Sequence, residues 1–181
     1  STLIDTTLRT DDNVPGEVTV RTLLAPTAAD DSFSVVEDGV LYVPAPGVLA
    51  NDSDLNGFPI KVVGYTQPAN GTVALNADGS FSYTPAPDYT GGDSFSYTLT
   101  NDNGRAATAT VLLDVLPVND APSFTAGTDQ TVLMNAGAQT VIAWAADINK
   151  GPANEAGQTL AFAVTNNNTA LFSAQPAVSA D

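Results

Sequence analysis

The sequence predicts an all-β chain of antiparallel β-sandwiches arranged in tandem, and three observations carry that expectation. Apolar and polar residues alternate over short stretches, which is the period of a half-buried strand rather than of a helix. Turns rich in Asp, Asn, Gly and Pro recur between those stretches at the close spacing of a sandwich. The pattern also repeats. Pro26 and Pro117 lie 91 positions apart, Ser32-Phe33 is answered by Ser123-Phe124 at the same offset, and VRTLLAP before one proline is echoed by VLLDVLP before the other. The 181 residues can bury one large core or two of ordinary sandwich size, at about 100 residues each, and the repeat decides for two. The expected organisation is the last strand of a preceding repeat over 1–26, a complete repeat over 27–117, and a second, incomplete repeat over 118–181.

In the first segment, residues 17–23 alternate as a strand after the turn DDNVPG. In the complete repeat, strands are expected at 32–35 and 40–43, where Pro44, Pro46 and Gly47 then break the chain. Further strands are expected at 59–66, 71–75, 80–84, 93–100 and 107–116. Their apolar faces are Val73 and Leu75; Phe81 and Tyr83; Phe95, Tyr97 and Leu99; and Ala109, Val111, Leu113 and Val115. Asn76-Ala77-Asp78-Gly79 and Asn101-Asp102-Asn103-Gly104 read as hairpin turns, because Asn, Asp and Gly tolerate the positive φ of a tight reversal. In the second repeat, 131–134, 140–145, 160–164 and 170–172 are strand candidates, with Trp144 as the largest core anchor.

Composition removes several function classes. Five basic residues against 20 acidic ones give a net charge of −15, which repels nucleic-acid phosphates and anionic lipid heads. Neither nucleic acid nor membrane insertion is expected as a partner. With no Cys and no His, disulfides, thiolate metal sites and the commonest general base are all missing. No Gly-x-Ser-x-Gly, P-loop or dinucleotide fingerprint occurs. Asp52 and Asp54 could be imagined as a glycosidase pair, but nothing in the sequence supplies an apolar pocket or an aromatic platform beside them. The expectation is a protein without catalytic activity.

Asp52-Ser53-Asp54-Leu55-Asn56-Gly57 has the opening spacing of a calcium loop, D-x-D-x-N-G, in which alternate side-chain oxygens converge and Gly permits a sharp bend. Val63 stands where that loop requires its closing Glu, so any remaining ligands must come from elsewhere. The alternative is an Asx-stabilised turn.

The phrases VLANDSD, NGTVALNADGSFSYTP, DYTGGDSFSYT and VNDAP resemble the Ig-like and cadherin-like tandem repeats of large bacterial surface adhesins of the RTX and biofilm type. The resemblance covers roughly residues 28–181. It implies an extracellular module, secreted or on the bacterial cell surface, whose boundary acids clasp Ca2+ between neighbours and turn a hinge into a rod. The residues placed in that role are Asp30, Asp31, Glu37, Asp38, Asn119 and Asp120, beside Asp52, Asp54 and Asn56 of the loop. Crowded carboxylates repel unless a divalent cation neutralises them; the alternative is a solvated acidic surface. Leu133-Met134-Asn135 replaces the acids at the equivalent place in the second repeat, so calcium is not expected there. By analogy with the sixth strand of immunoglobulin domains, Tyr97 stands where the tyrosine corner would be and Leu99 where the disulfide Cys would be.

The expected function is a calcium-stiffened stalk in adhesion or biofilm cohesion, with neighbouring repeats or identical subunits as partners. Two alternatives stay open. One is a module that binds a surface glycan or host protein through Tyr42, Tyr65 and Tyr89. The other is a fibre subunit that donates a strand into an incomplete neighbouring unit.

Overall fold

The computed structural model describes residues 4–5 and 21–179. The chain divides into two compact units, Ser1–Pro117 and Val118–Asp181. Residues 17–20 of the expected first strand lie outside the described residues. Two short strands open the first unit, β1 (Ile4–Asp5) and β2 (Arg21–Thr22), paired antiparallel.

The remaining strands of the first unit are β3 (Asp31–Val36), β4 (Leu41–Val43), β5 (Ile60–Tyr65), β6 (Gly71–Leu75), β7 (Phe81–Pro85), β8 (Gly91–Asn101) and β9 (Ala106–Leu116). They form a four-stranded sheet ordered β3-β9-β8-β5 and a three-stranded sheet ordered β4-β7-β6. This is an all-β sandwich, and each expected strand of the complete repeat is present. One pairing differs from the antiparallel expectation: β3 runs parallel to β9, with Asp31 opposite Val111 and Val36 opposite Leu116. The chain enters the sandwich alongside its own last strand, and 3₁₀ turn Gly47–Leu49 lies on the crossing from β4 to β5.

The core sits between the sheets. Burial alternates along β8, where Asp93, Phe95, Tyr97, Leu99 and Asn101 face inward, and along β9, where Ala109, Val111, Leu113 and Val115 do. Phe81 bridges the layers, meeting Phe33 edge-on at 5.1 Å and Phe95 at 5.7 Å, the offset geometry that aromatic quadrupoles favour. At one point backbones touch. The Val48 amide donates to the Gly79 carbonyl at 3.0 Å. A Cβ on Gly47 or on Gly79 would overlap the facing carbonyl, and both residues have positive φ, so only Gly fits either position.

The second unit departs from expectation. Its described strands are β10 (Ser123–Ala126) and β11 (Ala145–Asn149), one antiparallel pair. Residues 131–134, 140–144 and 160–164 are not strands, and Thr169–Leu171 forms a 3₁₀ turn. Trp144 is half-buried rather than a core anchor, its indole N–H donating to the Thr128 carbonyl at 3.1 Å. No second sheet opposes β10 and β11 among the described residues; Phe162 meets Phe124 edge-on, while Leu133, Met134 and Ile142 remain exposed.

Candidate cation-binding site

Strand β3 separates the expected ligands. Asp31 opens it and Glu37 follows it, and six extended residues at about 3.3 Å each put some 20 Å between the two. Asp30 and Asp31 therefore stand at one pole of the sandwich and Glu37 and Asp38 at the other, and the four cannot share one ion.

At the first pole, acids from two separate stretches converge on Tyr97. Its ring is fully buried. Its hydroxyl lies 2.8 Å from Asp52 Oδ2, 2.9 Å from the Val48 carbonyl, 3.3 Å from Asp31 Oδ2 and 3.4 Å from the Ala29 carbonyl. A phenol has one hydrogen to donate, so four acceptor oxygens compete for it. Burial, reinforced by the neighbouring Asp52 charge, pushes the Asp31 carboxyl up to about 6. Burial and the hydrogen bond to Asp52 raise Tyr97 far above an ordinary phenol. The tyrosine-corner analogy holds for the buried ring and a backbone acceptor, but that acceptor, Val48, is 49 positions upstream rather than a few.

The D-x-D-x-N-G loop works as a clasp. Asp52 Oδ1 accepts from the Ala29 amide at 2.8 Å, and Ser53 exchanges two backbone hydrogen bonds with Thr27 at 2.7 and 3.1 Å. Asn56 accepts from the Leu24 amide at 2.8 Å and donates to the Thr22 carbonyl at 3.0 Å. Asn101 donates both to the Leu24 carbonyl and to Asp54 Oδ2. The chain entering the sandwich, from Thr22 to Ala29, is thereby fastened along its length. Asp54 Oδ1 accepts from the amides of Asn56 and Phe58, the Asx-turn arrangement. The Asn101 hydrogen bond holds the Asp54 carboxyl below the usual range. Asp52, Asp54 and Asn56 are each committed to different protein donors.

Asp30 accepts from the Thr110 amide at 2.8 Å. At the other pole, Glu37 is buried, and Asp38, with φ 57°, accepts from the amide of Asp88, with φ 56°. In the second unit, Asn119 donates to the Asp120 carbonyl at 2.9 Å, and the Asp120 amide donates to buried Glu155 at 2.7 Å.

The donor set around Tyr97 is oxygen alone, two carboxylates and two carbonyls, which suits a hard divalent cation such as Ca2+ rather than a soft metal. Asp31 and Asp52 are the residues that would hold it, and its charge would relieve the acceptor excess. Sequence reasoning placed Asp31 and Asp52 in different clusters and missed Tyr97 as the group joining them. It also missed buried Asp93, which accepts from the Ala69, Asn70 and Ser94 amides and the Tyr83 hydroxyl. The glycan candidates are dispersed: Tyr42 is on β4, Tyr65 on β5 of the opposite sheet, and the Tyr89 hydroxyl donates to the Gly92 carbonyl at 2.6 Å. Among the described residues, no helix is long and apolar enough to cross a membrane.

The family described as bacterial Ig domain matches residues 24–114, half of the chain. The protein GAMETE EXPRESSED 2 of Arabidopsis thaliana is 39% identical over 93 residues, which is 50% of this chain and 9% of that protein. The chain thus spans less than a tenth of the curated relative it matches. Among solved structures, a nucleoside hydrolase-related hypothetical protein from Saccharophagus degradans that is associated with carbohydrate metabolism aligns at a TM-score of 0.37. It is 12% identical, and the alignment covers 52% of this chain and 26% of that one.

Proposed function

Because the chain belongs to the bacterial Ig domain family, whose members are typically non-catalytic modules of surface proteins, we propose that it is a stalk segment of an extracellular bacterial protein. In this reading calcium stiffens it and it serves adhesion or biofilm cohesion, with neighbouring repeats or identical subunits as its partners. The observation that carries the reading is the clasp on the entering chain. A rod made of sandwiches bends where one unit runs into the next, and here the entering segment is held by Asp52, Ser53, Asn56 and Asn101. A cation bound by Asp31 and Asp52 beside Tyr97 would lock the first residues of β3 to the same loop and cancel the repulsion between the two acids. Tight binding is unnecessary. If an extracellular site has Kd near ~10⁻⁴ M and calcium is about tenfold above it, linkage stabilises the folded state by about 1.4 kcal/mol.

The test is calorimetric. The chain is melted in EDTA and again in millimolar calcium, with magnesium as the control. The expected result is a calcium-specific rise in Tm of roughly 5–10 °C for a unit of this size, absent when Asp30→Asn and Asp31→Asn are combined. An unchanged Tm would reduce the acids to a solubilising surface and leave a spacer stiffened by hydrogen bonds alone.

A further inference from the structure

Every open sheet has edges whose free N–H and C=O groups invite another strand, and proteins close those edges with charge, proline, bulges or covering groups. In the sandwich, β3 is flanked by Asp30 and Glu37, and β4 is three residues long and ends at Pro44. Edge strand β5 carries Lys61 and a bulge between Val62 and Gly64. Strand β6 has none of these. It is the uncharged run Gly-Thr-Val-Ala-Leu, paired on one side only, with β7.

One side chain covers that edge. The Val73 amide donates to Gln67 Oε1 at 2.9 Å, and Gln67 Nε2 donates to the Val73 carbonyl at 2.9 Å. A carboxamide has the same donor and acceptor as a peptide group, so Gln67 reproduces one rung of a β-ladder at the middle of β6. Its backbone is fixed on both sides. The Thr66 amide donates to the Ser96 carbonyl at 2.9 Å, Pro68 is buried, and the amides of Ala69 and Asn70 donate to the buried Asp93 carboxylate.

We propose that Gln67 is an autoinhibitory plug on the β6 edge, and that the partner it excludes is the β6 strand of a second copy of this chain. Antiparallel self-pairing centred on Val73 would let two copies exchange both hydrogen bonds of a closely spaced pair across a two-fold axis. The side chains brought opposite one another, Thr72 and Ala74, are small and uncharged, so the edge is complementary to itself. With the plug in place, the sandwich stays a separate bead; with it removed, two beads join edge to edge.

The experiment compares Gln67→Ala with the unaltered chain by sedimentation velocity over a wide concentration range, together with hydrogen exchange at the Val73 amide. The expected result is faster exchange at Val73 in dilute samples and a concentration-dependent doubling of mass that the unaltered chain does not show. Gln67→Met retains the bulk of the side chain without its hydrogen bonds and is expected to behave the same way, which guards against an unfolded alanine variant. Adding Thr72→Lys and Ala74→Lys sets like charges opposite each other across the pair and is expected to restore the monomer. An opened Val73 amide without association, or association that survives the lysines, would overturn the proposal.

Discussion

The two units have sequences with the same kind of alternation and reach different ends. In the first, two sheets face each other and Val48, Tyr83, Tyr97, Leu99, Val111 and Val115 lose nearly all contact with solvent. In the second, the described residues form a single pair of strands and include no fully buried hydrophobic residue, and Met134 and Ile142 are 90% and 89% exposed. Alternation specifies which face of a strand is apolar, but burial requires a second layer to receive that face. The comparison teaches that a strand pattern is a conditional statement, and the missing condition is the opposing sheet.

The largest expected effect separates the units through their own chromophores. All five tyrosines lie in the first unit and the single tryptophan, Trp144, lies in the second. Replacing Phe95, which is 2% exposed and stacked edge-on against Phe81, by Ala removes a ring from the packed interior and should cost about 3–5 kcal/mol. In urea, the tyrosine near-ultraviolet dichroism should shift to a much lower midpoint while Trp144 fluorescence keeps its own course. A common shift of both signals would mean that the second unit depends on the first for whatever order it has.

A smaller effect probes the acid pair, which has no counterpart built on a buried tyrosine among the described residues of the second unit. Asp31 holds its proton up to about 6 in the folded state, against an ordinary 3.8. The folded state then binds more protons than the unfolded state between those values. The resulting stabilisation is fully present below 3.8 and is lost as pH rises through 6. In EDTA, lowering the pH from 7 to 5 should therefore stabilise the first unit by about 1 kcal/mol, after allowing for solvent screening at a half-buried carboxylate. Asp54 and Asp78, whose hydrogen bonds hold them below the usual range, act only at more acid pH and leave this window clear. The comparison variant is Asp31→Asn, in which the gain should vanish; a gain that persists would assign the proton to another group.

Much of the first unit was legible because its strands carry period-two alternation between unambiguous turns. Part of the site was legible for the same reason. Asp31 is in phase with Phe33 and Val35, and Asp93 and Asn101 are in phase with Phe95, Tyr97 and Leu99. A polar residue on the apolar phase of a strand is a residue that needs a buried partner, and that signal was available from sequence. The meeting of Asp31 with Asp52 was not, because it depends on the crossing from β4 to β5 bringing Val48 and Asp52 over the Tyr97 hydroxyl. Nor was the parallel pairing of β3 with β9, since alternation carries no strand direction. The loop spacing D-x-D-x-N points to oxygens as cation ligands, and what it does not reveal is that Asp52 and Asn56 also accept from amides of the entering chain while Asp54 accepts from the amides of Asn56 and Phe58.

The smallest expected effect is the most direct attack on the comparison. If the exposed apolar residues of the second unit contribute no packing, replacing them with polar residues should change its stability little, whereas the same chemistry in the core of the first unit is severe. Met134→Ser combined with Ile142→Ser removes two of its most exposed apolar side chains. Away from a core, caps or strained backbone, such substitutions stay within about 0.5 kcal/mol each. The Trp144 urea transition is the readout, because its indole hydrogen bond to the Thr128 carbonyl and the neighbouring contact between Phe124 and Phe162 at 5.1 Å report the order that the unit has. An unchanged midpoint, with higher solubility, would place these side chains outside any packed layer. A shift of 2 kcal/mol or more, about the scale of truncating a buried aliphatic side chain, would mean that they are covered in solution, and the contrast between the two units would then be one of partners rather than of sequence.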